Sequence, residues 1–343
     1  MTNSRRKLVK NFILKYYFLV ILILFFTFVA CPSKGQTKNN TSLIEADIYM
    51  AGYEGKYPNE RACYWKNGVK TILSDQSSVA QSIMVVGGDI YVAGYERHNY
   101  SEFACYWKNG EKIDLSQQKS WTHGIIVNGK DIYISGEETD INIANACYWK
   151  NGIKTNLYTT MSKSFALDID MTGRDIYIVG HEGEGYINNI ACYWKNGKKT
   201  SLSTMPSNAK SIFIVEKDVY IAGSESNNSK EIACYWKNRD KILLHTGDSF
   251  ANDIFVTEND VYIAGYEGEY SDEKACYWKN GVKTSLSTES SEAEAIVFVN
   301  GDLFISGYEY DGDNYVACYW KNGVKTYLSE QTSNAWAMTI VWK

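Results

Sequence analysis

Ala62-Cys63-Tyr64-Trp65-Lys66-Asn67-Gly68 recurs six more times along this 343-residue chain, with one departure, at the last position of the fifth copy. The cysteines of the seven copies stand at 63, 105, 147, 192, 234, 276 and 318, 42 residues apart at every step except one of 45. Tyr and Trp favour a half-buried pleated surface. Asn-Gly is a strong hairpin signal, because both central positions of a type I′ turn need positive φ. The motif therefore reads as a strand running into a tight turn, copied until it fills nearly the whole chain.

The flanks supply three more strands per copy. Val69 to Ser74 reads as the returning strand, with close counterparts at 282–287 and 324–329. Asp89 to Gly94, Asp-Ile-Tyr-Val-Ala-Gly, precedes the motif as a strand that its glycine ends. A fourth run lies between copies, as at 79–86 and 208–215. Four strands in about 42 residues match the blade period of propellers. Counted from the aspartate before each Tyr-Val-Ala-Gly-like strand, copies begin at Asp47, Asp89, Asp131, Asp175, Asp218, Asp260 and Asp302. The first copy lacks the run that precedes Asp89, and the chain ends with such a run over 335–342. That run is expected to complete the first blade and leave no open sheet edge.

The expected fold class is all-β, a seven-bladed β-propeller of four-stranded blades over 47–343, closed by three N-terminal strands plus one C-terminal strand. The organisation resembles highly repetitive exported bacterial propeller lipoproteins of undefined function. It lacks the Gly-His and Trp-Asp marks of WD40 repeats, and a Gly-Gly pair like those of kelch repeats occurs only at Gly87-Gly88. A fold of this kind does not name an activity.

Residues 1–30 read as an export signal. Arg5, Arg6, Lys7, Lys10 and Lys15 precede an apolar run from Tyr16 to Ala30 with no acidic residue. The run ends at Phe28-Val29-Ala30-Cys31, which resembles a bacterial lipoprotein signal with Phe28 where leucine is usual; the resemblance implies lipidation of Cys31. A cleaved secretory signal and a retained anchor are the alternatives. Residues 31–46 read as a tether. The protein is expected to be exported and held on the bacterial cell envelope, otherwise periplasmic or secreted, and to be a monomer.

One cysteine per copy, between Ala and Tyr, is read as a small buried hydrophobe between blades, since equivalent positions on successive blades lie beyond disulfide reach. Residues 1–30 hold five basic and no acidic residues of the chain's 35 and 40, so the remainder carries a net charge of −10. That excludes a nucleic-acid partner, which needs a basic surface. No cofactor, metal site or catalytic constellation is read: His98, His123, His181 and His245 fall in four copies with no paired spacing.

Copies differ most in their longer connections and along the inner run. One register of that run is chemically mixed while its neighbours read as apolar: Gln81, His123, Leu167, Lys210, Asn252, Glu294 and Trp336. Such a ring near the channel mouth is the candidate ligand site, and drift at tolerant positions would give the same residues. A second ring, Glu54, Glu96, Glu138, Glu182, Glu225, Glu267 and Glu309, with Glu137 beside it, could collect a cation or a sugar's hydroxyls, but reads rather as each glutamate pairing with a lysine or backbone amide of its own blade. Tyr57, Tyr100, Tyr186, Tyr270, Tyr310 and Tyr315 decorate the loops beyond, where they suit a glycan or a protein. Asp311-Gly312-Asp313-Asn314 lacks the spacing of a calcium loop. Asn238-Arg239 in the fifth copy predicts a different turn there. The expected function is a non-catalytic scaffold that holds an envelope protein partner; the alternatives are a lectin-like carbohydrate binder and, third, a hydrolase or lyase at the channel mouth.

Overall fold

The computed structural model describes residues 46–140, 143–157, 162–183, 188–227, 230–269 and 271–342. The export signal, Cys31 and nearly all of the tether lie outside the described residues, as do Tyr186 and Tyr270. Among the described residues, twenty-eight strands, β1–β28, form seven four-stranded antiparallel sheets. In blade 2, β4 (Ser78–Val86), β5 (Asp89–His98), β6 (Ser101–Lys108) and β7 (Glu111–Asp114) pair in chain order. The inner strands of blades 3 to 7 are β8 (Ser120–Asn128), β12 (Lys163–Thr172), β16 (Ser207–Val215), β20 (Ser249–Val256) and β24 (Ser291–Val299). Blade 1 combines β28 (Ser333–Trp342) with β1 (Ala46–Glu54), β2 (Arg61–Lys66) and β3 (Val69–Ile72), in the order β28-β1-β2-β3. The seven inner strands touch one another in a closed cycle, β28 meeting both β24 and β4. The chain is a seven-bladed β-propeller, and its first blade is shared by its two ends.

The repeated motif builds each blade in the same way. Asn67 (φ 51°) and Gly68 (φ 82°) occupy the left-handed positions of the turn between β2 and β3. The Asn67 side chain fastens that turn: its Oδ1 accepts the Ile48 N–H at 2.8 Å, and its Nδ2 donates to Asp47 at 2.8 Å. Lys66 closes the corner by pairing with Asp47 at 3.0 Å above the Tyr49 ring. In blade 5 the structure corrects the sequence expectation. Asn238 (φ 52°) and Arg239 (φ 85°) make the same two-residue turn, with Lys237 opposite Asp240. The arginine is carried in a left-handed conformation because the Asn238 side chain still holds Val219 N–H and Asp218.

Between blades the core is apolar. Cys276 and Trp278 of blade 6 pack against Ala233 and Leu244 of blade 5, and the other motif cysteines and tryptophans are likewise buried. All seven motif cysteines are free thiols. Burial pushes the thiol pKa of each well up, so they act as packing groups rather than nucleophiles or ligands.

A polar staple crosses each joint. The buried Ser78 hydroxyl of blade 2 accepts the Ala62 N–H of blade 1 at 2.9 Å and donates to Gln76 O at 2.9 Å. Ser120, Ser164, Ser207, Ser249, Ser291 and Ser333 accept from the alanine before each further motif cysteine. Around part of the channel the free inner edges are also satisfied from the side: Asp168 accepts Ile212 N–H at 2.9 Å, and Asp253 accepts Ile296 N–H at 2.8 Å.

Candidate functional site

The site follows from one irregularity repeated in every blade. Each inner strand pairs regularly with its neighbour except near its start, where the register shifts, between Ala80 and Ser82 in β4 and between Ala293 and Ala295 in β24. The residue left out of pairing is Gln81, Leu167, Lys210, Asn252, Glu294 or Trp336, and in β8 both His123 and Gly124 are left out. These are β-bulges, which remove a residue from the ladder and re-aim its side chain. The mixed register is therefore the bulge position, and all seven of its residues line one cavity of about 700 Å³ at the channel mouth.

The bulge also corrects the reading of the glycine. The second strand of each blade does not stop there: β5 continues to His98, four residues beyond Gly94. A Cβ on Gly94 would lie 2.1 Å from the Val79 carbonyl oxygen, and one on Gly265 only 1.9 Å from that of Phe250. Glycine is required because the bulged strand presses its backbone onto the neighbour.

Two further registers lie around the bulges. Two residues before each bulge stand Val79, Trp121, Phe165, Asn208, Phe250, Glu292 and Asn334. Directly across from them, after the conserved-by-repeat glycine, stand Tyr95, Glu137, His181, Ser224, Tyr266, Tyr308 and Tyr53. The expectation that the neighbours of the mixed register stay apolar thus fails. These positions are as varied as the bulge itself, and Glu292, Asn334, Tyr308 and Tyr53 join the cavity wall.

Several of these groups are already engaged. His123 Nε2 contacts Glu137 Oε2 at 2.9 Å, Asn252 Nδ2 donates to Ala293 O at 3.1 Å, and Trp336 meets the Tyr53 ring edge-on with centroids 5.4 Å apart. His181 stacks obliquely on Phe165 at 4.9 Å; burial, followed by the charges of Lys210 and His123, lowers its pKa to about 4, so it is neutral at pH 7. These two histidines, 58 places apart in sequence, thus stand on adjacent blades. On blade 7 the Tyr308 hydroxyl donates to Glu292. Burial raises Glu292, and it pushes Glu294 up to about 8, with the Glu292 charge adding to the rise while Lys210 and the Asn334 amide oppose it.

The second carboxylate ring lies at the blade joints. Glu54, Glu96, Glu138, Glu182, Glu225, Glu267 and Glu309 each pair with a lysine of their own blade, Lys70, Lys112, Lys154, Lys199, Lys241, Lys283 and Lys325. Several also take a hydroxyl from the preceding blade, as Glu54 does from Ser329 at 2.6 Å. At Glu267 that partner is His245, at 3.5 Å. Loop tyrosines divide: Tyr57 and Tyr100 are 73% and 98% exposed, while Tyr315 belongs to the cavity wall. Asp311 accepts the backbone N–H groups of Asp313 and Asn314, which shapes its turn.

The class defined here is a β-propeller with a polar cavity at one mouth. No protein-family model and no curated protein matches the chain. Among solved structures, a sialidase of Trypanosoma rangeli in complex with sialic acid aligns with TM-score 0.47 and 8% identity over 79% of this chain and 56% of its own. TolB from Acinetobacter baumannii aligns with TM-score 0.49 and 8% identity over 85% of this chain and 66% of its own. A subtype N10 neuraminidase-like protein from A/little yellow-shouldered bat/Guatemala gives TM-score 0.51 and 8% identity over 74% and 96%. The chain thus spans less than two thirds of the length of the first two, and at these identities the likeness is one of fold.

Proposed function

We propose that the protein is a non-catalytic binding module, displayed on the cell envelope, that takes a saccharide in the mouth of its channel. The observation that carries this reading is the cavity of about 700 Å³, within the usual range of small-molecule sites, walled by one bulge residue from every blade. Its wall mixes the indole of Trp336 with carboxylates, amides and hydroxyls, a combination that covers a sugar's apolar face and its hydroxyl edge. The envelope location rests on residues 1–31.

The test is an array of soluble and immobilised glycans probed with detergent-solubilised full-length protein. Saturable binding that free sugar competes, and that Trp336→Ala abolishes, is expected. Silence on every saccharide overturns the reading. In detergent-free cell fractionation Cys31→Ala is expected to release the protein from membranes, and retention would refute lipid anchoring. A second reading, capture of a protein partner on the looped face, is favoured by the exposed Tyr57 and Tyr100.

A further inference from the structure

The cavity wall is uneven in charge. Where blade 6 meets blade 7 and blade 7 meets blade 1, it presents Glu273, Glu292, Glu294 and Asn334. Among the described residues none of these three carboxylates has a cation within ion-pair distance. Glu292 takes the Tyr308 hydroxyl, Glu273 takes the Ser271 N–H at 3.1 Å, and the Asn334 amide lowers the pKa of Glu294 against the rise that burial causes. Asn334 is only 5% exposed, and its Oδ1 meets no hydrogen-bond donor, although it belongs to the cavity wall. A buried carbonyl oxygen left without a donor costs about 1–3 kcal/mol, so an acceptor there beside two carboxylates points to a ligand that brings donors.

We infer that this pole recognises a protonated primary amine, so that the saccharide taken by the mouth carries a free amino group. The inference rests on the proposed function and adds to it the chemistry of one end of the ligand. An ammonium group offers three donors and no acceptor, matching the two carboxylates and the Asn334 oxygen. A hydroxyl brings one donor and its own lone pairs, and an acetamido group brings one donor and a carbonyl that faces the carboxylates. The rings of Trp336 and Tyr53 stand in the same wall, where an aromatic face attracts a cation. Lys210, which stands in the same wall and makes no hydrogen bond or ion pair among the described residues, acts on Glu292 and Glu294 and opposes the amine, while Asp253 adds to the negative side. Burial, with the Glu292 charge behind it, favours the protonated form of Glu294 in the free protein. A bound ammonium favours its ionised form, so amine binding is accompanied by proton release.

The experiment is isothermal titration of the detergent-solubilised full chain with D-glucosamine, N-acetyl-D-glucosamine, D-glucose and ethanolamine, in two buffers of different ionisation enthalpy. Glucosamine is expected to bind roughly ten- to a hundredfold tighter than its N-acetyl form, as a charge-assisted hydrogen bond is replaced by a neutral one. Its heat is expected to depend on the buffer. Glu294→Gln abolishes both the preference and the buffer dependence, and Lys210→Ala tightens glucosamine alone. A Glu294→Gln variant that melts normally yet keeps the full preference overturns the assignment of this pole. Equal binding of the three sugars overturns the amine inference and leaves the saccharide reading standing. Ethanolamine bound with no sugar bound does the reverse, and silence with all four overturns both.

Discussion

Arg239 is the one residue in the seven hairpin turns that lacks glycine's freedom at φ near 80°. The left-handed region costs a residue with a Cβ roughly 1–2 kcal/mol. Its neighbour Asn238 tolerates φ 52° and is held by two side-chain hydrogen bonds, so the turn survives and the cost is borne at one position. Arg239→Gly is expected to stabilise the protein by about 1 kcal/mol, read as a higher urea midpoint with unchanged slope. An unchanged midpoint would mean that the guanidinium makes a compensating contact. At this scale the sequence was readable in one respect and misleading in another. Asn-Gly announces the turn in six copies, but in the fifth copy the second residue, Arg239, points to a different turn, whereas the asparagine that holds Asp218 decides the geometry.

At the scale of the strand, the bulge and the glycine opposite form one device. Gly265→Ala would put a Cβ 1.9 Å from the Phe250 carbonyl, and relief requires moving the inner strand of blade 6. A loss of about 3 kcal/mol or more is expected, measured by denaturant unfolding, together with a disturbed mouth. A neutral result would show that the bulge can relax. The number of strands, their order and the mixed register were legible because they are periodic along one copy. The bulge was not, since it is defined by what the partner strand pairs with, and a glycine inside a strand looks the same as one that ends it. The other half of the cavity wall was hidden for a related reason. Val79, Phe165 and Phe250 make the register of Glu292 and Asn334 look apolar when read along the chain, and their varied partners Tyr95, His181 and Tyr266 lie on another strand.

For the whole molecule, stability is distributed over seven equivalent joints, and their carboxylates set its response to acid. Burial alone would raise Glu54, Glu96 and Glu309, but hydrogen bonds and charge from Lys70, Lys112 and Lys325, with help from hydroxyls, outweigh it and leave all three below the ordinary glutamate range. A carboxyl depressed in the folded state contributes stability above its unfolded pKa and loses it as pH falls through the folded value. Thermal midpoints are therefore expected to drop on acidification below about pH 4.3, and Glu96→Gln is expected to flatten that drop. A variant with an unaltered acid profile would remove the joint from this account. Ring closure has a separate geometric result. Ala46 lies opposite Trp342, at the end of blade 1 where the tight turns gather, while Glu54 and Ser333 lie at the other end, beside the bulges. The first and last described residues thus sit together on the back of the disc. The open bowl lies at the far end of the strands, clear of both.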